Sequence, residues 1–402
     1  MVGKIGFPPP EADSFTPSGR SANFDDALSG GRFTLSHGWQ IRGPWDRPLF
    51  LALNTGLSLA QSEEKVLNSV SSGVSSMLVT SSGDPVGRID LETASDLSSS
   101  SASGTVRLGD AGPTISSTAI STGGLPGGIS QFAVSSGDDG MAFLALTTEG
   151  QSGAAAAYGA LVDDRGFTFL GTGDTRGTSI TSRRSARFRA FEQDAIFATR
   201  VSLEGDWGMT AGVGPMYSQT KYAVRRSISI DIDEGAVDRE VPDLALLHHD
   251  RIDTRYAGLT GAASVSRSIT RNWTMRLGGG LGVSRYWSEY TGSSQALVEG
   301  FGLTDLEAQS DTLSGISFNT QASLEFVRPL SKGASLSLGV SAQYSGAVPT
   351  LENRRSHGRR DNLASSGTNS RYEARGERNF APELTTRDSW TYGLQLGLTQ
   401  VF

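Results

Sequence analysis

The carboxyl-terminal segment 389–402 (SWTYGLQLGLTQVF) alternates in side-chain character almost without a break, and this pattern limits the fold more than any other feature. Trp390, Tyr392, Leu394, Leu396, Leu398, Gln400 and Phe402 share one parity, and Ser389, Thr391, Gly393, Gln395, Gly397, Thr399 and Val401 the other. Successive strand side chains point to opposite faces. The segment is therefore a strand with one apolar face, aromatic near both ends, and one small polar face. A long strand of that cross-section suits a wall between hydrocarbon and water.

The pattern recurs upstream in hairpins. Residues 333–346 set Leu336, Leu338, Val340 and Tyr344 against Ser335, Ser337, Gly339 and Gln343, and 312–328 set Ile316, Phe318, Leu324 and Phe326 against Ser317, Asn319, Gln321 and Glu325. Residues 273–287 alternate Trp273, Leu277, Leu281 and Trp287 with Arg276, Gly278, Gly280 and Gly282, while 255–269, 207–222 and 191–203 repeat the scheme. Seven strands are expected from 190 to the end, joined by minimal turns near 205, 271 and 331 and by long polar links at 224–252, 290–311 and 347–386. Further wall strands are expected among 130–136, 141–148, 154–162 and 166–173, although Met141–Leu146 is apolar on both faces.

These features resemble the outer-membrane β-barrel class, whose final strand ends in an assembly signal matched here by Gln395, Gly397 and Phe402, with Gln400 departing from it. The resemblance implies an all-β, antiparallel transmembrane β-barrel of about 8–12 strands or more, with even strand number, short periplasmic turns and long external loops. It further implies a periplasmic carboxyl terminus. The expected partners are outer-membrane lipid, lipopolysaccharide and the barrel-insertion machinery.

Composition agrees with a barrel and excludes a helical membrane protein: 37% of residues are hydrophobic, mean hydropathy is -0.23, and no run approaches the roughly 18–20 apolar residues of a spanning helix. There is no Cys, hence no disulfide framework or thiolate metal site. The start, MVGKIGFPPPEADSF, has no apolar signal core, so a mature form or part of a longer precursor is expected. Residues 1–125 read as a Ser/Thr/Gly-rich amino-terminal segment, 126–402 as the barrel. Strands are expected at 32–41 and 49–59, and short β-like runs at 77–80, 88–92 and 105–108. From 62 to 125 the chain reads as a linker, a thin β-rich domain or a surface segment.

Groups that carry chemistry are few. Asp231, Asp233, Glu234 and Asp238 form an acidic loop with the oxygen ligands that hard cations favour, followed by His248, His249 and Asp250. Solvation accounts for most such loop charges, and the spacing fits no catalytic motif, so no enzymatic activity or cofactor is expected. Arg354, Arg355, Arg359 and Arg360 open a basic loop, and Arg183, Arg184, Arg187 and Arg189 lie near another external rim; Arg forks suit phosphates, carboxylates or the acidic loop. The net charge of -7 argues against nucleic acid. Glu192, Asp194, Arg200, Arg276 and Glu325 are placed facing the lumen. The functional expectation is a passive pore or surface-exposed envelope protein. The alternatives are an autotransporter-like translocator for the amino-terminal segment and, less favoured, a rim-sited hydrolase.

Overall fold

The computed structural model describes residues 29–400 except 43–47, 70–76, 81–86, 97–98, 110–111, 123–127, 139, 150–153, 164–165, 203–206, 233–240, 307, 332–333, 353–358, 367–368 and 376–382. Every regular element among them is a strand. In chain order they are β1 (Ser29–Arg42), β2 (Pro48–Ser69), β3 (Met77–Thr80), β4 (Arg88–Ser95), β5 (Ser99–Arg107), β6 (Thr114–Thr122), β7 (Gly128–Gly137), β8 (Gly140–Glu149), β9 (Ala154–Asp163) and β10 (Gly166–Gly173). The second half follows with β11 (Thr178–Ser202), β12 (Trp207–Ile232), β13 (Leu244–Thr270), β14 (Trp273–Val298), β15 (Gly302–Asp305), β16 (Gln309–Ser331), β17 (Ala334–Glu352), β18 (Arg359–Ser366), β19 (Asn369–Arg375) and β20 (Glu383–Gln400).

The strands form three antiparallel sheets. The large one runs β1-β2-β11-β12-β13-β14-β16-β17-β20, with β15 hairpinned onto β14; the middle sheet runs β3-β10-β9-β8-β7, and the third β18-β19-β4-β5-β6. The seven strands expected after residue 190 are β11–β14, β16, β17 and β20, and the short turns lie where expected, all at one end of the large sheet. Two more strands come from the amino-terminal segment, β1 and β2, with β2 beside β11.

The candidates at 130–173 do not join the large sheet. β8 and β9 are buried on both faces. Their even and odd side chains fill two different cores, a role that a wall strand with one exposed face cannot take. Met141, Phe143, Tyr158, Phe167 and Phe169 pack against the large sheet's Ile228, Ile230, Leu244, Leu246 and Val298. Ala142, Leu144, Leu146 and Leu161 pack against Ile89, Leu91, Val106 and Leu108 of the third sheet and its edge. Residues 77–80, 88–92 and 105–107, legible as β-like runs, lie in β3, β4 and β5. The Ser/Gly-rich stretch thus contributes a thin β layer. Its small side chains let it lie flat on the middle sheet: a β-carbon at Gly104 would run into Leu144 and Leu91.

The long links expected at 224–252, 290–311 and 347–386 are mostly strand. β12, β13 and β14 run on to lengths of 26, 27 and 26 residues. At about 3.3 Å per residue each reaches roughly 85 Å, whereas a membrane-crossing strand needs about 9–11 residues. These extensions looked like loops because their polarity is reversed. Near the short turns, the odd residues of β12 are apolar and open to the outside, as at Val213 and Tyr217. Beyond Lys221 the even residues Val224, Ile228, Ile230 and Ile232 are apolar and buried, the three Ile under the middle sheet. β13 and β14 switch in the same way, from exposed Leu259 and Leu281 to buried Leu246 and Ala296. In β17 the change coincides with a bulge between Ser345 and Val348, where Ala347 takes a positive φ of 56° and the Ser317 hydroxyl donates to the Gly346 carbonyl.

Candidate functional site

Directly opposed residues in antiparallel strands share a face, so the registers divide the large sheet into an outer and an inner surface. Every exposed large hydrophobic side chain except Ile120, Phe132, Leu247, Leu297 and Phe301 lies on the outer surface of the half nearest the short turns. The band begins on β1 with Phe33, Leu35 and Trp39 and continues without a polar strand to Trp390, Tyr392, Leu394 and Leu396 on β20. Leu281, Phe318 and Leu338 are 71%, 63% and 56% exposed. Large soluble monomers rarely present a contiguous apolar patch beyond roughly 300–600 Å², whereas this band carries exposed aromatic and aliphatic side chains from one edge of the described sheet to the other. Trp207 and Trp273 stand at the short-turn edge with Arg267 and Arg328 over their rings, and Trp287 stands at the far edge under Arg285.

The inner surface of the same half is small and polar. Asn54 Nδ2 donates to Asp194 Oδ1 at 2.6 Å, and Arg276 Nη1 to Glu325 Oε2 at 3.1 Å between opposed positions of β14 and β16. Glu192 is half-buried on this face. Arg200 has the same register parity, its side chain lying outside the described residues. Glu192, Asp194, Arg276 and Glu325 thus share one face, paired in part, and Arg200 has the matching register position. Asn319 Nδ2 contacts Met216 Sδ at 3.7 Å although β13 and β14 stand between their strands. In a flat sheet those strands would be about 14 Å apart, so the sheet curls tightly about this polar side. Gly282 permits it, since a β-carbon there would strike Asn319. Access grades along the axis: Arg276 and Gln321 are exposed near the short turns, whereas Ser218, Ser284 and Ser317 are buried higher up.

Above them, where the polarity reverses, sits a second inner cluster. His248 and Asp250 alternate inward on β13, and Tyr290 and Ser294 inward on β14, with Ser294 opposite His248. His248 Nδ1 lies 2.7 Å from Ser294 Oγ, His248 Nε2 lies 3.0 Å from Asp250 Oδ1, and the Tyr290 hydroxyl donates to the same carboxylate oxygen at 2.8 Å. One tautomer satisfies the chain: Ser294 donates to Nδ1, and Nε2–H donates to Asp250. Burial works to raise the Asp250 carboxyl, but His248, Arg226 and the Tyr290 hydroxyl outweigh it and hold the group below its ordinary value of 3.8. Gly292 is required here, since a β-carbon would collide with the Tyr290 hydroxyl. A Ser–His–Asp chain has the chemistry of an activated nucleophile. Ser294 is only 3% exposed and Asp250 1%, beneath the apolar layer under the middle sheet, so this one ties β13 to β14 and offers no hydroxyl to a substrate.

The other expected sites fall as follows. Asp231 is exposed on the outer face of β12; Asp233, Glu234 and Asp238 lie outside the described residues, among which no group of three or more His, Asp or Glu could hold a metal. Arg354 and Arg355 also lie outside them. Arg359 and Arg360 sit on the edge strand β18, opposite Arg375 and Ala374. The neighbouring Arg371 grips Asp90 with Nε at 3.3 Å and Nη2 at 3.1 Å, and Arg88 Nε meets Glu373 at 2.9 Å. That part of the basic segment therefore pairs with the amino-terminal β layer. Gln395 and Gly397 face Gly339 and Ser337 across β17–β20, and Phe402 is outside the described residues. Sequence reasoning missed Tyr290 and Ser294; the parity of 286–298 would have found them had the segment been read as strand. No protein-family model matches the chain, and no curated protein does.

Proposed function

We propose that the protein is an outer-membrane β-barrel whose strands continue past the membrane into a capped β head, making it a surface-exposed envelope protein. The observation that carries this reading is the reversal of polarity within single strands. A face that is apolar and exposed near the short turns and polar beyond them, backed by the opposite change on the inner surface, suits a strand leaving hydrocarbon for water. On β14 the distance from Trp273 to Trp287 is about 46 Å along the strand, or roughly 35 Å after a tilt of about 40°, enough for a hydrocarbon band and its two interfaces. The orientation puts the short turns in the periplasm and the head outside.

Closure of the ring rests on β1 and β20, the edges of the described large sheet. These two run in the same direction, so direct pairing would make a parallel seam, and one further strand between them would give the even, fully antiparallel count usual for bacterial barrels. Unsatisfied edges are not tolerated in hydrocarbon, which makes some closure necessary.

Among the functions open at the outset, an anchored head is favoured over an open pore because the apolar layer between middle and large sheets covers the outer end of the inner surface. A pore that opens only when this layer lifts is the second reading, supported by the accessible Arg276–Glu325 end. The translocator reading is less favoured, because residues 70–177 connect two adjacent strands of the large sheet, β2 and β11. Outer-membrane fractionation with a heat-modifiable electrophoretic band tests the barrel; a soluble, heat-unmodifiable product would refute it. Single-channel recording in planar bilayers separates the readings: near-zero conductance supports the anchored head, and steady ohmic conductance supports the pore.

A further inference from the structure

Immediately above the apolar band, on the outer surface, basic side chains cluster on four adjacent strands. Arg189 on β11 stands directly opposite Lys221 on β12, and Arg187 lies one position further along the same face. Arg251 and Arg255 follow on β13, with Arg255 opposite Trp287 of β14, whose ring carries Arg285 at 5.3 Å. All six basic groups are exposed. The acids within these rows are Asp253, which pairs with Arg251 at 2.6 Å, and Glu289. Among the described residues, no carboxylate lies within ion-pair distance of Arg187, Arg189, Lys221 or Arg255. The same rows on β16 carry Ser310, Thr312 and Ser314, and on β2 Leu57, Leu59 and Gln61. The cluster is thus confined to one sector and is not a general feature of this level.

Like charges directly opposite on a sheet are unfavourable; Lys221 faces Asp253 on its other side, whereas Arg189 stands between Lys221 and Leu59 with no acid opposite it. With strands about 4.8 Å apart and same-face residues about 6.8 Å apart, the six groups fit in a patch roughly 15 Å wide and roughly 20 Å long. Arg forks suit phosphate oxygens, and an indole at the edge of an apolar band suits the boundary where lipid headgroups sit. We propose that this face of β11–β14 binds the phosphate-bearing headgroup of a lipid in the external leaflet, its acyl chains lying along the exposed Phe191, Tyr217, Leu259 and Val283 below. The proposal rests on the lipid-facing reading of the band.

The test uses the full chain in phosphatidylcholine vesicles with and without diphosphoryl lipid A, and reads lipid retained on the extracted protein by native mass spectrometry. Wild type should retain diphosphoryl lipid A over phosphatidylcholine. The variant R187Q/R189Q/K221Q/R255Q should lose roughly a hundredfold or more in retention, since each basic group near an anionic lipid surface is worth about fivefold. Its Lys-preserving counterpart R187K/R189K/R255K should retain most of the binding, and R267Q/R328Q at the opposite edge should leave it unchanged. Equal retention by wild type and the Gln variant, equal retention of dephosphorylated lipid A, or displacement of the lipid by inorganic phosphate alone would each overturn the proposal. Insertion without headgroup preference sinks this inference and leaves the barrel standing; failure to insert into either vesicle sinks both.

Discussion

Replacing Leu281 with Arg separates a lipid-facing band from a solvent-facing one by magnitude and by sign. Leu281 is the most exposed large hydrophobic residue of the band at 71%, and it lies eight residues from Trp273 and six from Trp287, near the middle between the two aromatic edges. Its neighbours on the outer face are Gly261 and Thr320, so no bulky group shields it. If hydrocarbon surrounds it, the guanidinium costs about 2–4 kcal/mol, a factor of roughly 30 to 800 in the folding equilibrium. If water surrounds it, an exposed Leu→Arg change should fall within about ±0.5 kcal/mol or add solubility. Urea unfolding of refolded protein in phosphatidylcholine vesicles, followed by tryptophan fluorescence, reads the difference directly. A shift inside the water range, repeated for Phe318→Arg and Leu338→Arg at 63% and 56% exposure, would refute the lipid-facing band and with it the proposed barrel.

The inner face should not be the mild counterpart that its polar residues suggest: Gly282→Val drives a side chain into Asn319, and a loss of about 1–3 kcal/mol in the same unfolding assay is expected, with no loss meaning an unfilled interior. Asp250 lies in the strand extension outside the band, and its folded value is below 3.8, so its stabilisation is present above that value and is lost as pH falls through the folded one. Acid unfolding of Asp250→Asn should show a shallower pH slope below about pH 4 than wild type, and identical slopes would mean the carboxylate is not held by His248 and Tyr290. Reversing one ion pair, Arg371→Glu, should speed hydrogen exchange in β4, and adding Asp90→Arg should restore protection; no recovery in the double variant would show that β19 docks without this pair. For orientation, Ser229→Cys should react with an impermeant maleimide on intact cells and Arg271→Cys only after the outer membrane is broken, the opposite order inverting the topology.

The half of each strand nearest the short turns was legible in the sequence because its faces differ so sharply. One parity is aromatic or aliphatic and the other is Gly, Ser or Thr, as in Leu277–Gly278 and Leu281–Gly282, and a period-two pattern of that contrast permits one register of faces. Where the polarity reverses, the signal weakens for a physical reason. Arg225, Arg226 and Ser227 interrupt the alternation on both parities, and the new apolar parity at Ile228, Ile230 and Ile232 leads into an acidic stretch that reads as loop. Nothing in 141–162 tells which sheet it joins, because a strand buried on both faces is equally apolar on each. Sequence alone also could not pair His248 with Ser294, since that requires the β13–β14 register to hold for the whole length beyond the turn at 271–272.

That long register also explains why the head and the band belong to one unit. β13 and β14 pair from the turn through to Leu244 and Val298, so the backbone that carries Leu281 in the band also carries Ala296 and Val298 in the core beneath the middle sheet. A sheet so continuous transmits twist along its length with no hinge at the polarity change. The His248–Asp250–Tyr290–Ser294 cluster sits at that change, where Tyr290 also packs with its cross-strand partner Ile252 and with Leu351 and Leu384. Side-chain hydrogen bonds between β13 and β14 add to that packing, and Gly292 gives Tyr290 the room to make its part of them. Loss of Ser294 or Tyr290 should therefore loosen the head relative to the band before either unfolds. Limited proteolysis of Tyr290→Phe would reveal this as cleavage near the reversal with the band-side fragment still heat-modifiable, and a wild-type pattern would assign the cluster no structural role.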